Sequence, residues 1–204
     1  MAYLALVRHG ESTWNAVGAW TGLTNIGLDE EGFEESREAG ELLNDILFQI
    51  AFTSKLIRAR QTLDEILDVL SIKHIPIYES AALNERDYGD LTGKNKWEVE
   101  KAYGEKQFNA WRRGWDEPVP NGETLKDVYN RVIPYYEESI LPKLKAGKNV
   151  LVAAHGNSLR ALIKYLEHIS DKDIPAFEME TGAVFVFEIN KKGEITGKEI
   201  RTPS

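Results

Sequence analysis

Short, nearly unbroken apolar runs alternate along the chain with longer stretches in which apolar residues recur every three or four positions. Tyr3–Val7 is one such run and predicts a buried strand. A polar loop follows, from Gly10 to about Asn25. Gly32–Leu47 reads as a helix, with Phe33, Leu43, Ile46 and Leu47 as its apolar residues. Ile50–Thr53 is a short strand. Leu56, Ala59, Leu63, Ile66, Leu67 and Leu70 then recur at helical spacing, with Ser54 placed to cap that helix. Ile75–Tyr78 is strand-like. Ala81–Gly93 is polar and carries glycines at 89 and 93, which predicts a loop. Lys96–Tyr103 and Phe108–Arg113 are short helices, and Trp115–Gly122, with two prolines, is a surface loop.

The second half repeats the pattern. Leu125, Val128, Val132, Tyr136, Ile140 and Leu144 form a helical stripe over Leu125–Leu144, which Pro134 is expected to kink. Val150–Ala154 is a buried strand and Ser158–Ile169 the helix leaving it. Ala183–Ile189 is another strand, and Lys191-Lys192-Gly193 turns the chain into a final short one. Strands alternating with helices predict an α/β fold, three layers deep (α/β/α), with a mostly parallel central sheet. A chain of 204 residues with 42% hydrophobic composition suits one domain, 1–204, with a sizeable core.

Charge and cysteine content narrow the function. The formal net charge of −8 argues against wholesale nucleic-acid binding. An acidic protein that binds an anion must concentrate its positive charge locally. The absence of Cys excludes disulfides and thiol catalysis and fits a reducing cytosol. The brief apolar start has no basic flank, so no signal peptide is expected, and no stretch reaches the roughly 20 apolar residues of a membrane span. The expected location is cytoplasmic, with no nucleic-acid or membrane partner.

Two of the predicted strands end alike. Tyr3–Val7 runs into Arg8-His9-Gly10-Glu11-Ser12, and Val150–Ala154 runs into His155-Gly156-Asn157-Ser158. Each His-Gly places an imidazole at a strand's carboxyl end, where open α/β sheets bind ligands. If the two strands are neighbours, the imidazoles face each other over one crevice. Arg8 adds a guanidinium suited to phosphate. A single His-Gly is more often a strand-end histidine and nothing more; two after matched strands, with Arg8 adjacent, point to phosphate chemistry with a histidine nucleophile.

Three further features are weaker by themselves. Arg58 follows a strand at the start of a helix, where a bound anion would explain a cation that opposes the dipole, but Lys55 and Arg60 are equally open to a solvated reading. Glu85, in Leu83-Asn84-Glu85-Arg86, offers an acid/base group in a loop, where most Glu residues are only solvated. Arg112-Arg113 behind Trp111 suits a carboxylate or second phosphate, although neighbours on a helix point about 100° apart, so only one is expected to face a site. The four histidines, His9, His74, His155 and His168, show no metal-binding spacing, and only a set of His9, His155 and a carboxylate stays open. His74 and His168 read as surface or boundary residues.

With these motifs assembled, the chain resembles the 2,3-bisphosphoglycerate-dependent phosphoglycerate mutases of the histidine phosphatase superfamily. The resemblance runs through Arg8-His9-Gly10-Glu11-Ser12, Trp14-Asn15, Thr21-Gly22, Arg58-Ala59 and Leu83-Asn84-Glu85-Arg86. It continues through Tyr88-Gly89, Leu91, Gly93, Lys96, Trp111-Arg112-Arg113-Gly114, Ala153–Arg160 and Thr181-Gly182. The stretch from Asn84 to Lys96, with Arg112-Arg113, is the part specific to the mutase branch. The resemblance implies that His9 accepts the phosphoryl group. It implies that Arg8, Arg58 and His155 hold that group in transit, with Asn15 and the Gly156 amide beside them, and that Glu85 is the acid/base. It implies that Ser12, Thr21, Gly22, Tyr88, Lys96, Arg112, Arg113 and Asn157 bind the rest of the substrate.

The activity implied is the glycolytic and gluconeogenic isomerase reaction between 3-phosphoglycerate and 2-phosphoglycerate, primed by 2,3-bisphosphoglycerate and independent of metal. The alternatives are a histidine phosphatase acting on other phosphoesters and a non-catalytic module that binds a phospho-ligand. The segment after Gly114 and the chain's end are short for the family, so less of a lid over the site is expected. A homodimer and a monomer are both open.

Overall fold

The computed structural model describes residues 1–179 and 182–203. Its strands are β1 (Ala2–Arg8), β2 (Ile50–Thr53), β3 (Ile77–Glu79), β4 (Val150–Ala154), β5 (Val184–Ile189) and β6 (Ile195–Arg201). They form one sheet in the order β3-β2-β4-β1-β5-β6. The first four strands of that order are mutually parallel, while β5 and β6 are antiparallel additions beside β1. The helices are α1 (Thr13–Ala16), α2 (Glu30–Glu41), α3 (Ile57–Val69), α4 (Lys96–Tyr103), α5 (Glu105–Arg113), α6 (Leu125–Tyr135), α7 (Leu141–Lys145) and α8 (Gly156–Leu166).

The unbroken apolar runs follow from burial on both faces of the parallel strands. Along β1, Leu4 and Leu6 pack into a cluster with α6, α7 and α8, whereas Ala5 and Val7 pack into another with α2 and α3. The two clusters make the three layers. A third, smaller cluster of Trp20, Tyr88, Leu91, Val99, Phe108, Trp111 and Val119 gathers α4, α5 and their flanking loops. Its Trp20, Tyr88, Arg112 and Arg113 neighbourhood borders the crevice described below.

Several expected boundaries move for local reasons. α2 starts at Glu30, before Gly32, because the Asp29 side chain accepts from the Gly32 amide and caps it. It ends at Glu41, and turns carry the chain through Leu43 and Ile46, which are buried without being helical. Ser54 does not cap α3: the cap position is Leu56, and the Ser54 hydroxyl accepts from the Leu56 amide instead. The third strand is Ile77–Glu79, displaced past Pro76. α5 begins three residues before Phe108, at Glu105. The single kinked helix expected over Leu125–Leu144 is α6, a π-helical turn at Tyr136–Ile140, and α7. The π turn follows directly on Pro134, which lacks an amide and disturbs the regular ladder. α8 begins at Gly156, two residues ahead of Ser158, and ends at Leu166.

Candidate active site

β1 and β4 are adjacent, and their last register pair is Arg8 with Ala154. The next residues are His9 and His155, so the two His-Gly sequences emerge side by side. The His9 amide continues the ladder by donating to Ala154 O at 2.9 Å. The imidazoles meet edge to face, with ring centres 4.9 Å apart.

His9 is buried and held at both ring nitrogens. Nδ1 lies 2.7 Å from Gly10 O, and Arg58 Nε donates to Nε2 at 3.2 Å. A carbonyl can only accept, so Nδ1 carries the proton and Nε2 carries the lone pair. Burial, then the charges of Arg58 and Arg8, push the His9 imidazole well below its ordinary range, although the Gly10 carbonyl opposes them. The ring is therefore neutral at pH 7. Gly10 does not have a left-handed backbone here; it is glycine because a Cβ would overlap Gly32 O of α2.

His155 sits at the start of α8, fully buried. Its Nε2 lies 2.7 Å from Ser54 Oγ. That hydroxyl also accepts from Leu56 N at 3.1 Å. Burial, then Arg58 and His9, also depress this imidazole well below its ordinary range. Nδ1 has no hydrogen-bond partner among the described residues.

The arginines are fixed by backbone oxygens. Arg58 is completely buried in the first turn of α3 and donates to Thr24 O and Gly22 O, each at 2.9 Å, besides His9. Burial lowers its guanidinium to about 10, which leaves it charged at pH 7. Arg8 donates to Met179 O at 3.3 Å, and its Nε is buried without a partner among the described residues. Thr21 Oγ1, on the crevice wall, is likewise buried and unpaired. Buried polar atoms are normally satisfied, so these three orphans mark a place that fits an oxyanion.

Glu85 faces them. Its Oε1 accepts from the Arg86 amide at 2.7 Å, the Asn157 amide at 3.3 Å and Asn157 Nδ2 at 3.0 Å. Oε2 takes none of these bonds and lies toward Gly156, 3.8 Å from where a Cβ there would stand. Asn157 is oriented by Arg160, which donates to its Oδ1 at 3.0 Å, and it also donates to Tyr88 Oη at 2.7 Å. Burial, then Glu85, raise the Tyr88 phenol, which stays neutral. From behind, Arg131 donates to the carbonyls of Asn84 and Glu85 and pairs with Glu123, which pins the loop.

Most of the expected residues line one crevice: Arg8, His9, Asn15, Thr21, Gly22, Arg58, Glu85, Tyr88, Lys96, Arg112, Arg113, Gly156 and Asn157. Burial, then Arg112 and Arg8, lower the Lys96 ammonium. Two expectations need correction. Ser12 is buried off the crevice; it caps α1 and donates to Asn15 Oδ1 at 2.6 Å, so it positions Asn15. His155 is fully buried beside His9, with Nδ1 as its one ring nitrogen unpaired among the described residues. Arg112 and Arg113 do not diverge, because they end α5 and both bend to the crevice. Thr181 lies outside the described residues. His74 and His168 are exposed, as expected.

Arg131, Arg160 and Glu178 carry no role in the sequence, and Ser54 carries one only as a helix cap. Arg160 was discoverable, since it lies three positions after Asn157 on one helix face. The others act across the fold and leave no local signal. Among the described residues, no helix is long and apolar enough to cross a membrane, and no cluster of three His, Asp or Glu side chains is shaped to hold a metal.

The chain matches the sequence profile of the histidine phosphatase superfamily (branch 1) over residues 4–198. A 2,3-bisphosphoglycerate-dependent phosphoglycerate mutase of Parvibaculum lavamentivorans is 46% identical over 199 residues, covering 97% of this chain and 95% of that protein. One of the same name from Cytophaga hutchinsonii is 50% identical over 192 residues, covering 94% and 90%. A solved mycobacterial glucosyl-3-phosphoglycerate phosphatase, complexed with VO3, superposes with a TM-score of 0.84 over all of both chains at 21% identity. That likeness is one of fold.

Proposed function

The chain belongs to the histidine phosphatase superfamily, and within it to the 2,3-bisphosphoglycerate-dependent phosphoglycerate mutases; from that membership we propose that it interconverts 3-phosphoglycerate and 2-phosphoglycerate through a phosphohistidine on His9. The observation that carries the reading is the His9 tautomer. Gly10 O holds the proton on Nδ1 and leaves the Nε2 lone pair beside Arg58. A neutral imidazole so placed attacks phosphorus without first losing a proton.

When bound, 2,3-bisphosphoglycerate supplies the phosphoryl group that primes His9. The unpaired Arg8 Nε, Thr21 Oγ1 and His155 Nδ1, with Arg58, fit that group's phosphate oxygens. Arg112, Arg113 and Lys96 fit its distal charges. Phosphoryl transfer asks chiefly for positioning and charge stabilisation, and this cationic pocket provides both. In the forward half-reaction a hydroxyl oxygen of the monophosphoglycerate bonds to phosphorus as the N–P bond breaks. The electron pair returns to His9 Nε2, and the hydroxyl proton passes to Glu85. Three N–H donors occupy Oε1, so Oε2 receives it. Attack of His9 on the other phosphate reverses these steps, and Glu85 returns the proton to the departing oxygen. The reading also assigns one catalytic domain over 1–204 and a cytoplasmic place in glycolysis and gluconeogenesis.

The test is an assay on 3-phosphoglycerate with and without added 2,3-bisphosphoglycerate. Appearance of 2-phosphoglycerate, accelerated by the primer and lost in His9→Ala together with the acid-labile phosphoenzyme, is expected. Release of inorganic phosphate without 2-phosphoglycerate would favour the phosphatase alternative. Label retained on another residue in His9→Ala would overturn the nucleophile.

A further inference from the structure

One short segment engages four arginines of the crevice. Phe177 O accepts from Arg160 Nε at 3.1 Å, and Met179 O accepts from Arg8 Nη1 at 3.3 Å. Between them, the Glu178 carboxylate is 2.7 Å from Arg113 Nη2 and 3.6 Å from Arg112 Nη2. Its two oxygens divide between the two guanidiniums, much as the carboxylate of a small acid would. Glu178 lines the crevice and is half exposed, as are its partners to a lesser degree. No described contact anchors the carboxylate elsewhere. It adds negative charge where an anionic substrate must bind.

We propose that Glu178 is a built-in competitor for the anionic substrate: its carboxylate holds the Arg112–Arg113 pair until a ligand carboxylate or second phosphate displaces it. The proposal rests on the mutase reading only in naming that ligand. Competition of this kind weakens binding of multiply charged ligands selectively, because an ion that reaches only the His9 end does not contend for the pair. It would also let a doubly charged acid detach from the arginines and turn while the phosphoryl group waits on His9.

The test compares wild type with Glu178→Gln, and with Glu178→Ala as a second removal of the charge, in direct binding titrations. The probes are 3-phosphoglycerate, which carries a carboxylate, and inorganic phosphate, which does not. Half-exposed ion pairs are individually weak, so losing two of them should tighten 3-phosphoglycerate by about 3- to 10-fold. Inorganic phosphate affinity should not move. In an Arg112→Gln/Arg113→Gln background, Glu178→Gln should have no effect on 3-phosphoglycerate, and high salt should erase the difference between Glu178→Gln and wild type. Unchanged or weaker binding of 3-phosphoglycerate in both variants would overturn the proposal and make Glu178 a positioning residue for the arginines. Equal tightening of both probes would overturn it too, as a general field effect. These are equilibrium readouts, so they stand whether or not the wild type proves to be a mutase.

Discussion

His9 and His155 are kept neutral by the same means, burial beside Arg58, and that arrangement has a kinetic signature. An ordinary histidine titrates near 6.5 and would begin to lose its lone pair just below neutrality. Both imidazoles here are depressed, so the acid limb of the phosphorylation rate should fall well under 6.5. Rapid-quench measurement of phosphoenzyme formation between pH 7.5 and 5.5 checks this, and a limb centred at 6.5 would contradict the hydrogen-bond assignment. Glu85 is the proposed acid/base. Glu85→Gln should lower kcat by roughly 10²–10⁴, the usual reach of general acid/base catalysis. Phosphorylation of His9 by an activated donor should suffer less, since a good leaving group needs little protonation; equal losses would mean a structural role. His9 and Arg8 were legible because they lie in a short motif at a strand end, whereas Arg58 and Glu85 stood out only through the family resemblance. Ser54, which hydrogen-bonds His155, reads as a helix cap because a hydroxyl shortly before a helix looks the same in sequence whichever partner it takes.

At the scale of elements, the nucleophile's position depends on how closely β1 and α2 approach. A Cβ on Gly10 would overlap Gly32 O, and one on Gly32 would overlap Glu11 O. The two glycines face each other, and neither has a positive φ. Gly32→Ala therefore sets two effects against each other. Alanine favours a helix over glycine by about 1 kcal/mol. Here the new methyl meets backbone, which cannot rotate away, and overpacking typically costs about 1–3 kcal/mol. The clash should win: a lower urea midpoint and slower phosphorylation of His9 are expected, while a raised midpoint would show that the helix shifts freely. Periodicity predicts both segments but starts α2 at Gly32 itself. The true start is set by the Asp29 cap, and Gly32 is fixed by contact across the fold, which no periodicity reports. The π turn at Tyr136–Ile140 was hidden for a related reason. It keeps Tyr136 and Ile140 in the core, so the apolar stripe looks like one continuous helix.

For the molecule as a whole, the layered fold was readable from alternation and helical spacing, while the adjacency of β1 and β4 was only a condition in the sequence and is met in the sheet. The burial of the site was not readable, because its lining residues are scattered from Arg8 to Met179. That burial couples catalysis to stability. A histidine near 6.5 in the unfolded chain binds protons below that value, whereas His9 and His155 in the folded protein do so only at lower pH. Between the two values the unfolded state holds more protons, so stability falls as pH falls. Their contribution is complete above about 6.5 and is lost progressively beneath it; each tenfold drop in proton affinity corresponds to about 1.4 kcal/mol. Carboxylates titrate mostly near 4, so the window from pH 7.5 to 5.5 isolates the histidines. Urea unfolding across that window should show wild-type stability declining with acid. The double variant His9→Gln/His155→Gln, which keeps polar side chains but cannot titrate, should show a flatter profile and gain relative to wild type as pH drops. Parallel profiles for the two proteins would mean that the histidines titrate alike folded and unfolded, and would remove the physical basis for a neutral nucleophile at His9.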